Sequence, residues 1–170
     1  MGTPIESLMA RCRPAKAVGY KRAFCNTSPV WDFKSTATLI KTDSDNDVVE
    51  GIAVRMTEGE VNALDPFEGY PTWYNREKLT LLTNTDAGSQ SSEALVYPVE
   101  GQAYIQVEPK SYEEPTLLYK IACCKTIYLS RRLLSNDADT MVELDIVNAC
   151  DPNEVSTFIY SLSQDDLNAL

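Results

Sequence analysis

The sequence predicts an α+β domain, a small mixed β-barrel or strongly bent sheet with flanking helices, and three observations carry that prediction. Period-two alternation dominates the first two thirds of the chain. Helical spacing takes over from Leu117, and one short helix interrupts the strands near its middle. The 170 residues are 44% hydrophobic, enough for one domain with a sizeable core, so residues 1–170 are read as a single domain.

Val18 to Cys25 and Phe33 to Lys41 read as the first strands, parted by the polar Asn26-Thr27-Ser28-Pro29 turn. Asp43-Ser44-Asp45-Asn46-Asp47 opens like a calcium loop but lacks the glycine and the distant bidentate glutamate of one, so a solvated turn is expected. From Val49 the alternation is clean, with Ile52, Val54 and Met56 on one face. Thr57-Glu58-Gly59-Glu60 is a capping box, with Met56 and Val61 placed as a hydrophobic staple. The helix it starts is expected to stop near Asp65, because Pro66 disfavours helical geometry in the residue before it.

Arg76 to Thr83 reads as the next strand, and Asn84 to Ser92 as a polar link. Ala94 to Val99 and Gln102 to Val107 then read as a hairpin turning at Glu100-Gly101. Further on, Leu118, Ile121, Ala122, Leu129 and Leu133 recur at helical spacing, and Asp151-Pro152-Asn153 precedes a final helix-like segment.

Composition narrows the function classes. A formal charge of −10 argues against nucleic acid and anionic membrane surfaces, which require a basic patch. No apolar run is long enough to span a bilayer, and Met1 to Ala10 lacks the pattern of a secretory signal. Cys12, Cys25, Cys123, Cys124 and Cys150 show no Cys-x-x-Cys spacing, which suits reduced, mostly buried thiols in the cytoplasm. The adjacent Cys123 and Cys124 would point about 100 degrees apart on a helix, so packing is the expected role.

With no histidine in the chain, a Ser-His-Asp triad and His-ligated metal are excluded, and acid-base chemistry falls to a perturbed carboxylate, lysine, tyrosine or thiol. Glu68 is the leading candidate. It lies in Asp65-Pro66-Phe67-Glu68-Gly69-Tyr70, where a helix gives way to a strand, crowded by Phe67, Tyr70, Trp73 and Tyr74. Aromatic walls exclude water and raise a carboxyl pKa toward the range of a general base. The competing reading is a solvated loop carboxylate beside core aromatics.

Gly51-Ile52-Ala53-Val54, followed by Leu64-Asp65-Pro66-Phe67-Glu68-Gly69 and Tyr74-Asn75-Arg76, resembles the signature of the gamma-glutamylcyclotransferase-like family. There a strand, a short helix and a Leu-Asp-x-x-Glu-Gly turn present the catalytic glutamate. Arg11 to Phe24 resembles the family's second strand and the segment leading to it, Trp31 fits the turn that follows, and Pro115 to Tyr119 resembles a late Pro-Ser-x-x-Tyr element with Thr116 for serine. The resemblance covers about residues 2–135 and leaves 136–170 as an unassigned C-terminal extension.

The resemblance implies a cofactor-independent enzyme that releases 5-oxoproline from a γ-glutamyl amine or peptide, with Glu68 as general acid and base. It also implies that Tyr74 and Tyr119 line the pocket, and that Gly2, Thr3, Pro4 and Ile5 stand where the family's Gly-Ser-Asn-Leu loop holds the substrate carboxylate. Two departures accompany it: Met1 occupies the place of a tyrosine, and Pro4 removes one amide donor. The alternative is a non-catalytic member of the same fold that binds a small ligand or a protein. The apolar residues of Met141 to Val147 are expected to lie against the sheet near Gly2 and Thr3.

Overall fold

The structure, a computed structural model, describes Ser7 and residues 10–83, 97–109, 113–134, 142–147 and 155–160. Gly2, Thr3, Pro4 and Ile5 lie outside the described residues, as do Ala94 to Val96 and Met141.

A four-stranded antiparallel sheet runs in the order β4 (Val48–Val54), β1 (Cys12–Val18), β5 (Tyr74–Thr83), β6 (Tyr97–Gln106). Beside it, β2 (Tyr20–Ser28) and β3 (Lys34–Lys41) form a two-stranded sheet. Only Gly19 separates β1 from β2, yet the two strands join different sheets. Gly19 makes that corner at φ 80°, in the left-handed region that favours glycine. Its N–H donates to the Asp47 carbonyl at 2.8 Å, and its carbonyl accepts from Thr42 N–H at 2.8 Å. The strongly bent sheet is therefore the member of the expected pair that forms, and among the described residues it does not close into a barrel. The acidic segment between β3 and β4 closes as a turn, with Asp47 N–H on the Ser44 carbonyl at 3.1 Å.

Two expectations differ from the structure, one of a turn and one of a helix. Glu100-Gly101 is no hairpin but the middle of β6, where Gly101 faces Leu79 and Glu100 faces Thr80 on β5. The glycine serves close approach, since a Cβ there would meet Leu81 Cδ1 at 2.6 Å. Of the final segment, expected to be helix-like, the described residues Val155–Tyr160 form a strand. β7 (Val142–Val147) and β8 (Val155–Tyr160) pair antiparallel as a ribbon of their own. That ribbon packs next to β2, not as an added strand of the four-stranded sheet.

Helix α1 (Glu58–Glu68) begins at the capping box read from the sequence. Thr57 Oγ1 accepts from Glu60 N–H at 3.3 Å, and Glu60 Oε2 accepts from Thr57 N–H at 2.8 Å. Arg11 adds a two-pronged contact to the Glu60 carboxylate at 2.9 and 2.8 Å. These contacts, the guanidinium first, hold Glu60 down to about 2. The folded pKa lies below the unfolded one, so the stability this group contributes is present above the ordinary carboxylate range. It is lost as pH falls through about 2. The stability deficit of Glu60→Gln should accordingly be full at pH 7 and shrink toward nothing near pH 2 in urea titrations across that range. A deficit independent of pH would contradict the assignment.

The helix does not stop at Asp65 but continues through Pro66 to Glu68. A proline in the last turn forfeits only one backbone bond, and the turn is held in other ways. Tyr70 N–H closes on the Asp65 carbonyl at 3.0 Å and Gly69 N–H on Pro66 at 3.4 Å, with Gly69 left-handed at φ 66°.

Helix α2 (Leu117–Leu134) turns Lys120, Cys124 and Ile127 into the core and leaves Leu118 exposed. The sequence stripe through Leu118 and Ala122 is therefore offset from the face that packs. The deepest core lies on β2, where Ala23, Phe24 and Cys25 are fully buried, with Cys124 of α2 equally inaccessible.

Candidate active site

Glu68 is the last residue of α1, and its position is set by what clamps that turn to β5. Arg76 reaches across from β5, with Nε donating to Asp65 Oδ1 at 2.8 Å and Nη2 to Asp65 Oδ2 and to Asn62 Oδ1. Tyr104 of β6 donates its hydroxyl to Asp65 Oδ1 at 2.8 Å. The Arg76 guanidinium, ahead of every other influence, holds Asp65 below the usual carboxylate range. So Asp65 is a charged anchor, and it offsets the reluctance of a pre-proline residue to stay helical.

Past the anchor, Glu68 enters a cleft of about 550 Å³ whose lining includes Tyr74, Gln106 and Tyr119. The carboxyl is half-buried, and burial raises its pKa from the ordinary value. Glu68 in turn adds to the upward shifts of Tyr74 and Tyr119, each of which comes first from burial. The structure thus brings Glu68, Tyr74 and Tyr119 to one cleft. Gly2, Thr3, Pro4 and Ile5 lie outside the described residues.

The two tyrosines are held differently. Tyr74 is enclosed: its hydroxyl lies 2.9 Å from Thr36 Oγ1, donates to the Ala37 carbonyl at 3.2 Å, and accepts from Gln106 Nε2 at 2.9 Å. Tyr119 accepts the Ala37 N–H at 2.8 Å, which leaves its own proton directed to a further acceptor. Phe24 meets the Tyr119 ring edge-on at 6.2 Å, and Trp31 packs against it at 4.7 Å between centroids.

Gln106 lies directly opposite Tyr74 in the β5–β6 register. Its Nε2 contacts the carbonyls of Cys25 at 2.8 Å and Thr36 at 3.2 Å, and two carbonyl acceptors fix which end of the amide is nitrogen. Sequence reasoning passed over Gln106. It shares the parity of exposed Gln102 on the same strand, and only the β2–β3 sheet covering its end of β6 separates them. Thr36, buried on β3, also lines the cleft, as do Trp31 from the turn after β2 and Trp73 from the turn after α1.

Gly69 completes the turn. Beyond its left-handed φ, a Cβ here would stand 2.6 Å from Trp73 Cδ1, so the indole rests on bare backbone. The glycine after Glu68 thereby ends the helix and seats an aromatic wall.

A family model described as gamma-glutamyl cyclotransferase, AIG2-like, matches residues 4–116, more than half of the chain. The chain belongs to this family. Among solved structures, one named gamma-glutamyl cyclotransferase aligns with a TM-score of 0.56 at 18% identity, covering 92% of this chain and 82% of its own. An uncharacterised protein from Homo sapiens aligns at 0.53 and 18% identity, covering 96% of this chain and 92% of its own. At such identity the likeness shows the cyclotransferase fold and no more. No curated protein matches the chain. Among the described residues, no helix is long and apolar enough to cross a membrane.

Proposed function

We propose that this family member is a γ-glutamyl cyclotransferase that releases 5-oxoproline from a γ-glutamyl amine or peptide, with Glu68 as general acid and base. One observation carries the reading: a half-buried carboxylate with a raised pKa shares a cleft with two tyrosine hydroxyls.

In this reaction the nucleophile is the substrate's own α-nitrogen. Glu68 takes a proton from the α-ammonium, and the freed nitrogen bonds to the γ-carbonyl carbon. The C–N bond to the leaving amine then breaks as Glu68 returns the proton to the departing nitrogen. The attacking nitrogen gives up a second proton, and the amine departs as an ammonium ion. Ring closure is intramolecular, so holding the substrate folded removes much of the entropic barrier.

Tyr119, whose hydroxyl proton is left for a ligand, would donate to a substrate oxygen, and Tyr74 would shape the floor. Residues Gly2, Thr3, Pro4 and Ile5 would receive the α-carboxylate, as the family resemblance implies. The site as read uses no metal or organic cofactor, the single domain is taken to act alone on a small molecule, and a cytoplasmic setting suits its thiols. Incubating the protein with a panel of γ-glutamyl amines and dipeptides and assaying for 5-oxoproline tests the reading. Release from at least one class is expected, and binding without release from any would favour a non-catalytic member of the fold.

A further inference from the structure

The cleft has a buried polar floor and an exposed apolar rim. Gln106 is 5% exposed at the floor, whereas Val30 at 84%, Phe67 at 87% and Trp73 at 61% stand in water at the mouth. Large apolar side chains gathered at a cleft mouth mark a surface that a ligand covers. Trp73 is fixed there, not waving: its ring lies on Gly69, its N–H donates to the Gly69 carbonyl at 2.9 Å, and its carbonyl accepts from Val107 at 2.9 Å.

Charge adds a second constraint. Among the described residues lining the cleft, Glu68 is the sole charged side chain, and no lysine or arginine accompanies it. A leaving group that carries a carboxylate would bring negative charge toward Glu68 with no described cation to pair it.

We propose, resting on the cyclotransferase reading, that the leaving group is a bulky apolar amine without a carboxylate, packed against Val30, Phe67 and Trp73. With the reacting carbonyl beside Glu68, the substituent on the departing nitrogen projects toward the rim. Among the described residues, the rim offers it hydrocarbon and aromatic faces and no counter-charge.

Three amides separate the features. γ-Glutamyl phenethylamide should exceed γ-glutamyl ethylamide in kcat/KM by about tenfold or more, the scale of burying one ring. γ-Glutamylphenylalanine, which is the phenethylamide with a carboxylate added, should fall about tenfold or more below it. Phe67 is so exposed that Phe67→Ser should leave folding intact, and it should shrink the phenethyl-to-ethyl ratio toward one. Measurable and equal rates for the three amides, or a ratio untouched by Phe67→Ser, overturn the inference.

Tryptophan fluorescence titrations of the same amides separate this inference from the reaction on which it rests. Tighter binding of the phenethylamide without any 5-oxoproline would reject the cyclotransferase chemistry and keep the apolar subsite. Release of 5-oxoproline without a phenethyl preference in either binding or rate would do the reverse.

Discussion

Glu68→Gln should lower 5-oxoproline release by about 100-fold or more while leaving the fold unchanged, the scale on which general acid-base groups act. The amide keeps the shape of the side chain at the end of α1 but cannot accept the ammonium proton. Little stability should be lost, because Asp65, Arg76 and Gly69 hold the turn and Glu68 does not. The pH profile gives a second readout. Burial raises the Glu68 pKa, and the base works deprotonated, so wild-type activity should fall on the acid side at a pH above the ordinary carboxylate range. That acid limb should vanish from whatever activity Glu68→Gln retains. Near wild-type turnover in the variant would remove Glu68 from the mechanism.

The features that were legible in the sequence are those written in local chemistry. Thr57 and Glu60 satisfy each other's orphan donors within one turn, so the start of α1 needs no tertiary information. Glu68-Gly69 is similar, since a glycine in the left-handed region ends a helix wherever it occurs. What could not be read depends on distant partners. Pro66 stays helical because Arg76, from the next strand, clamps Asp65 and Asn62. Gly101 looks like a turn glycine until Leu81 is seen to need its space across the sheet. The corner at Gly19 falls inside the expected strand Val18 to Cys25, and only the different partners of β1 and β2 divide the two. In the cleft, Glu68 could be found by its turn. Gln106 acquires its place through distant partners, among them the carbonyls of Cys25 and Thr36, 81 and 70 residues earlier in the chain.

The largest stability effect should come from Phe24→Ala, which we expect to cost about 3–5 kcal/mol in urea unfolding, as deletion of a buried aromatic ring does. Phe24 is 0% exposed at the centre of β2, on the face opposite to that of its chain neighbours Ala23 and Cys25, and Tyr119 packs against its ring. A ring with no exposed surface leaves a closed cavity when it is deleted. Phe24→Leu retains most of the hydrocarbon and should cost about a third as much. The substitution should also reach the cleft, because Phe24 supplies the edge-on contact that backs the Tyr119 ring. Without it Tyr119 keeps the Ala37 hydrogen bond but loses one of its two aromatic neighbours. Activity per folded molecule should therefore drop in Phe24→Ala even at temperatures well below its melting point, and drop less in Phe24→Leu. If Phe24→Ala unfolded early yet kept full activity while folded, Tyr119 would not depend on this packing, and the core and the cleft would be separate concerns of the fold.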